Sequence, residues 1–264
     1  PKMPRKIVIH AGFHKTGTST VQAVLRDNRK ALMPALAIRL KGQMQELMHA
    51  TRGYSTDGTP DALDKVSRRF DALLTDLPGM PRRTLLMSAE ELSGHMPGRG
   101  ALTDYSATPV LMYLFWERAK AAFPKTPVHF VFATRNRADW QRSAWAEHVK
   151  SSGMTLDYDN YIQRYAGASD LAQIVQDVTR RVPAPVHSYA LEDCPSLPLG
   201  PADPVLDICD IPADIRAALV PQPPQNTRLS ENTLAALLEI NRTHTDTKAR
   251  NTAKDALLGK GPQT

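Results

Sequence analysis

The chain has 264 residues, 42% apolar and 23% charged, with a formal net charge of +6 and a sequence pI near 9.4. That is enough apolar material for the core of one large α/β domain, and the basic excess suits an anionic ligand, though nucleic-acid binding or plain solubility would produce it equally. The two cysteines, Cys194 and Cys209, have neither metal-site spacing nor the density of a disulfide scaffold, so reduced, structural thiols are expected.

Lys6 to Ile9 reads as a buried strand. It enters a turn holding Gly12, Lys15 and Gly17, and then a helix expected from Gly17 to Lys30, whose apolar positions Val21, Val24, Leu25 and Leu32 recur at helical spacing. A strand that delivers the chain, a turn able to wrap an anion and a helix whose first amides point back into it can together grip a phosphate. Thr51 to Pro60 reads as a polar, turn-rich loop. From Asp61, the residues Leu63, Val66, Phe70, Leu73, Leu74 and Leu77 mark an amphipathic helix stopped by Pro78 and Gly79, and Thr84 to Ser88 reads as a second strand.

Ser93 to Pro109 is rich in glycine, proline and small polar residues, and is expected to be a mobile loop near a substrate mouth. A helix from Val110 to Ala122, a strand from His129 to Thr134 and a helix from Ala138 to Lys150 follow. Leu171 to Arg181 is a helix and Pro185 to Tyr189 a fourth strand. Pro195 to Pro224 holds eight of the 21 prolines and is expected to wrap the surface. Helices near Ser230–Arg242 and Thr247–Leu258 close the chain, which shows no internal repeat or low-complexity tract. Alternating strands and helices predict one P-loop-like α/β domain over residues 1–264, with a mostly parallel central sheet and ligands at the carboxyl ends of its strands. The longest strongly apolar stretch, Val110 to Trp116, is too short to cross a bilayer, and Pro1, Lys2 and Met3 do not open a signal peptide, so a cytoplasmic protein without a membrane span is expected.

The turn departs from the ordinary nucleoside triphosphate loop, G-x-x-x-x-G-K-[ST]. Gly12 and Gly17 keep the glycine spacing, but Thr18 stands where the lysine belongs, and Lys15 lies two residues ahead of Gly17. This displacement argues against a conventional ATP or GTP site. A second anion site stands far downstream: Arg135 directly follows the strand HFVFAT, and Ser143 lies eight residues later on the next helix, where a guanidinium and a hydroxyl can reach one phosphate.

The loop His14-Lys15-Thr16-Gly17-Thr18-Ser19, together with HFVFAT, Arg135, Asn136 and Ser143, resembles the sulfotransferases that use 3′-phosphoadenylyl sulfate (PAPS), in particular a bacterial branch with the loop H-K-T-G-T-[TS]. The segments LLMSAEEL and NTRLSENTLAALLEIN carry the resemblance more faintly. It implies in-line transfer of a sulfuryl group from PAPS to a hydroxyl of a carbohydrate or small metabolite, with 3′,5′-adenosine bisphosphate (PAP) as product and no metal. It places Lys15 on the bridging oxygen and leaving phosphate. Thr16, Gly17, Thr18, Ser19 and Thr20 (loop 10–20) would surround the 5′-phosphate, and Arg135 and Ser143 (unit 129–143) the 3′-phosphate. Animal Golgi members carry a membrane anchor, so the lack of one here points to a bacterial protein.

Glu90, directly after the second strand, is the expected general base, with Glu91 as its neighbouring alternative. His14, beside Lys15, is a further candidate for acting on the acceptor; His49 and His95 also lie in plausible loop regions. The R-K-G-x-x-G motif of cytosolic members is not recognisable, Gly259, Lys260 and Gly261 being a partial echo, so the residues that stack on adenine are unassigned. Two other readings stand beside this one. A P-loop nucleotide or small-molecule kinase would need Mg²⁺ and usually an acidic residue at the end of a core strand, where this chain has Thr134 and Arg135. A non-catalytic anion-binding module would account for the basic pI, and no aromatic-and-basic interleaving supports nucleic acid.

Overall fold

Five strands lie side by side, all parallel, in the order β2-β3-β1-β4-β5: β1 (Lys6–His10), β2 (Leu36–Arg39), β3 (Thr84–Ser88), β4 (Val128–Thr134) and β5 (Val186–Ala190). The structure is a computed structural model and describes residues 3–80, 82–223 and 228–261. Pro1 and Lys2, Pro224 at the end of the proline-rich segment, and Asn226 and Thr227 of the fainter resemblance lie outside the described residues. The helices, in chain order, are α1 (Thr18–Asp27), α2 (Arg29–Leu32), α3 (Gln45–Asp57), α4 (Pro60–Thr75), α5 (Thr108–Ala122), α6 (Arg137–Ser151), α7 (Tyr158–Arg164), α8 (Leu171–Arg181), α9 (Ala202–Ile208), α10 (Ala213–Ala217), α11 (Glu231–Thr243) and α12 (Thr247–Leu257).

The strands are apolar on both faces because helices cover both faces, as a parallel sheet requires. Ile7, Ile9, Leu85, Met87, Phe130 and Phe132 join the larger core with α3 to α8 and α11. Val8, Leu86, Val131 and Ile38 point the other way, into a smaller core with Val21, Val24 and Leu25 of α1 and Val205 and Leu206 of α9. The connections after β1 lead to β2 and β3 on one side, while β4 and β5 lie on the other. The strand order therefore reverses at β1, and the crevice at its carboxyl end is where such sheets bind ligands.

The α/β class and the parallel sheet are as the sequence indicates, with several departures. An unforeseen edge strand, β2, has only four residues, too few to establish a period. Thr51–Pro60, expected as a loop, mostly belongs to α3. Its polar composition is overridden by burial of Leu47, Met48, Ala50 and Thr51, and the helix ends at Gly58, which adopts φ 65°. The helix after the loop breaks at Asn28, whose amide Nδ2 donates to Val24 O at 2.9 Å. Proline-rich Pro195–Pro224 was expected only to wrap the surface, yet it buries Leu199, Ala202, Val205 and Leu206 against α1. Ser93–Pro109, expected to be mobile, is pinned: Ser93 Oγ donates to Ala11 O, Thr108 Oγ1 to Ser93 O (2.9 Å) and His148 Nε2 to Pro97 O (2.7 Å), and Tyr105 is buried. Cys194 and Cys209 are free and buried.

The end of α6, the helix that bears Ser143, is held from α11 and α12; Asn241 Nδ2 donates to Val149 O at 3.0 Å. The ammonium of Lys254, buried on α12, donates to the carbonyls of Val149 (2.8 Å), Lys150 (3.1 Å) and Ser152 (2.6 Å) at its C-terminus. A cation there meets both the unpaired carbonyls and the negative end of the helix dipole. Lys254→Met keeps the apolar stem and removes the donors, and is expected to lower the unfolding free energy by about 2 kcal/mol, the scale of lost charged hydrogen bonds. Urea denaturation reads this, and an unchanged midpoint would contradict it.

Candidate functional site

The turn after β1 is fastened by its carbonyls. Ser93 Oγ donates to Ala11 O, Ala133 N to Gly12 O (2.7 Å), Thr16 Oγ1 to Phe13 O (2.5 Å), Trp140 Nε1 to His14 O (2.9 Å) and Arg135 Nη1 to Lys15 O (2.8 Å). Five successive carbonyls thus accept from β4, α6, the 93–109 segment and the loop itself. Among the described residues, none accepts a hydrogen bond from the amides of Lys15 to Thr20, and the first bond of α1 runs from Val21 N to Gly17 O at 3.2 Å. Consecutive unpaired amides at a helix N-terminus are a cradle for an anion. Two residues take left-handed backbone to make it, Lys15 (φ 60°) and Gly17 (φ 82°). At Gly17 a Cβ would also stand 2.8 Å from Leu191 Cδ1, so glycine is required there.

Beside the loop lies a cleft of about 240 Å³ whose walls include Lys15, Arg135 and Ser143, contributed by two distant stretches of the sequence. Asn136 caps α6, its Oδ1 accepting from Ala138 N (3.0 Å) and Asp139 N (3.3 Å), and this starts the helix so that Ser143 and Glu147 follow on the cleft side. Lys15 Nζ sits 3.5 Å from Glu147 Oε2. Burial favours the neutral acid of Glu147, but Lys15, the Ser151 hydroxyl and Lys150 outweigh it and hold the carboxyl below its ordinary range. Thr16 and Thr18 are buried in the loop, while Ser19 and Thr20 line a separate slot with Pro195, Leu197, Pro198 and Pro221.

Glu90 lies against the loop: a Cβ on Gly12 would be 3.6 Å from its Cα. Its carboxylate is buried and engaged, Oε1 by Lys41 Nζ and Oε2 by Gln22 Nε2 at 3.1 Å. Burial works to raise its pKa, yet the charges of His14 and Lys41 and the Lys41 hydrogen bond prevail and hold it at about 2. Glu91 pairs instead with Arg52 at 2.6 Å. His14 Nδ1 is 2.9 Å from the Tyr105 hydroxyl, and burial drives its pKa down to about 3, so the ring is neutral at pH 7. His95, half-buried, uses Nδ1 to accept from Met96 N at 3.1 Å, and His49 is exposed on α3. Neither lines the cleft.

Sequence reasoning missed Glu147, Lys41, Gln22 and Tyr105. Glu147 had a usable signal, its position four residues after Ser143 on one helix, which places both on the same face. Lys41 follows the unforeseen edge strand and had none.

No family model matches the chain, and no curated protein does. Among solved structures, the chain is similar to one from a molecular and structural characterization of the PezAT chromosomal toxin-antitoxin system of the human pathogen Streptococcus pneumoniae, at 11% identity and TM-score 0.31, over 96% of this chain and 88% of that one. A likeness at that level carries no argument about function.

The buried histidines make stability depend on pH. Burial is the main cause that lowers His10 to about 4, His14 to about 3 and His148 to about 4, all below the free value of 6.5. The unfolded chain takes up these protons first, so their contribution is full above pH 6.5 and is lost as the pH falls through 4 and 3. Glu90, held at about 2 against 4.5, acts in the same direction at lower pH. The thermal midpoint is expected to fall steadily from pH 7 to pH 4; a flat profile would contradict neutral burial of these rings.

Proposed function

We propose that the chain is a sulfotransferase that moves the sulfuryl group of PAPS to a hydroxyl of a carbohydrate or small metabolite. The observation that carries this reading is the meeting of Lys15, Arg135 and Ser143 around one cleft, beside a run of unpaired amides. A nucleotide with phosphates on both its 5′ and 3′ sides needs two anion sites of this kind. The amides of the loop and the start of α1 hold the 5′-phosphate, and Arg135 and Ser143 hold the 3′-phosphate. Arg135 binds the Lys15 carbonyl through Nη1, which ties the two anion sites together. The slot beside Ser19 and Thr20, about 310 Å³ and walled by prolines and leucines, takes the base.

In the transfer the acceptor oxygen forms a bond to sulfur while the bond from sulfur to the 5′-phosphate oxygen breaks, its electron pair staying on the phosphate. Lys15 offsets the charge that develops on that oxygen. Glu90 takes the acceptor proton. A carboxylate held at about 2 is a weak base, so Lys41 must let go of Glu90 as the acceptor binds, which raises the carboxylate's basicity at the moment of use.

PAP is expected to raise the thermal midpoint while ATP with Mg²⁺ does not; stabilisation by ATP and Mg²⁺ alone would overturn the reading. Lys15→Ala is expected to lower turnover by roughly 10²–10³-fold, the scale of a lost transition-state donor. Arg135→Ala is expected to weaken PAP binding by about tenfold or more in calorimetry. Glu90→Gln is expected to abolish turnover while leaving PAP affinity intact, and near-normal turnover would remove Glu90 as the base.

A further inference from the structure

An anion cleft has no evident need of a carboxylate against its lysine, yet Glu147 is held there. Ser151 Oγ donates to Glu147 Oε1 at 2.9 Å, which leaves Oε2 directed at Lys15 Nζ, 3.5 Å away. Both side chains are about one-third exposed, 31% for Glu147 and 35% for Lys15. The other carboxylates of the cleft are placed differently: Glu231 pairs with Arg142, whose guanidinium also lies 4.9 Å and 5.0 Å from the rings of Trp145 and Tyr158, and Asp139 stands in the first turn of α6. Among these three cleft carboxylates, Glu147 is the one paired with the loop lysine.

The consequence for a bound anion follows from how two energies scale. Attraction to a lysine grows in proportion to the charge of the ligand's terminal group, whereas the cost of removing that group from water grows with the square of its charge. A lysine alone rewards a second negative charge and offsets much of the added desolvation. A lysine with a carboxylate beside it gives little such reward, so the cost of the second charge stands. Arg135, Lys150 and Arg228 also line the cleft and attract either terminus whatever stands at position 147, so the part that Glu147 sets is a bias against the doubly charged terminus relative to the singly charged one.

We propose, resting on the sulfotransferase reading above, that Glu147 is a specificity residue that selects a nucleotide ending in a singly charged sulfate over the isosteric nucleotide ending in a doubly charged phosphate. It acts through Lys15 on binding and takes no proton in the transfer. Charge at one site thereby separates two ligands of nearly the same shape.

Calorimetry with PAPS and with 3′-phosphoadenosine 5′-diphosphate, which differ only in the terminal group, tests this. At pH 8 the wild type is expected to prefer PAPS by about tenfold, a modest fraction of the unscreened charge effect. Glu147→Gln is expected to bind the diphosphate more tightly and lose the preference, whereas Glu147→Asp, which keeps the charge, retains it. Near pH 5, below the second phosphate pKa of about 6, the wild-type preference is expected to shrink because both termini then carry one charge. A preference equal in wild type and Glu147→Gln would overturn the role of Glu147 and leave the sulfotransferase reading standing. Binding of neither nucleotide to the wild type would overturn that reading, and this proposal with it.

Discussion

Everything at the site depends on how the turn after β1 is held by its carbonyls. Polar backbone in a protein interior must find partners, and here the partners are supplied selectively. Donors from β4, the β4–α6 link, α6, the 93–109 segment and the loop itself occupy the carbonyls of residues 11 to 15, and among the described residues the amides of residues 15 to 20 have no protein acceptor. A loop fastened on one edge keeps its shape while the other edge waits for a ligand. On the proposed function this is preorganisation in the sense that matters for charge stabilisation, the dipoles being aimed before an anion arrives. Trp140 and Arg135 perform this fastening from the unit that also carries Ser143, so the loop is tied to that unit.

Two lysines near the loop stand against carboxylates. Lys15 is met by Glu147 and Lys41 by Glu90, with Glu91 and Arg52 beyond. Lysines left alone in a basic chain would attract any anion. On the reading proposed above, lysines paired with carboxylates reserve their attraction for a ligand that can replace the partner or fit beside it, which would convert raw charge into selectivity. His14 and the Lys41 pairing together make Glu90 strongly acidic despite its burial, which ties part of its basicity to the position of Lys41.

Much of this was legible in the sequence because it is local. The displaced lysine, the two glycines and the hydroxyl run mark a candidate anion loop on their own, and Arg135 with Ser143 mark the candidate second site, because strand end and helix face follow from neighbouring residues. That Glu90 lies against the loop is legible from its place just after β3. What escaped was set by partners far away in the chain. The short strand β2 is defined by its neighbour β3 and not by its own pattern, so Lys41, which follows it, could not be placed. Thr51–Pro60 looked like a loop because its composition is polar, whereas its helix is stabilised by a buried face made largely of the residues before it.

By itself, then, the sequence determined the class of fold and marked the loop, Arg135 and Ser143 as candidates for the two phosphates of the proposed ligand, since periodicity, glycine placement and residue chemistry are properties of short stretches of chain. Only the tertiary structure decided which side chains face Lys15 and Glu90, that Arg135 grips the loop it serves, and that Glu147 stands in the cleft. Those are distances between residues separated by up to 132 positions in the chain. Such distances are fixed when the sheet order reverses at β1 and α6 is packed against the loop, a result of burial on both faces of the sheet that no local pattern encodes.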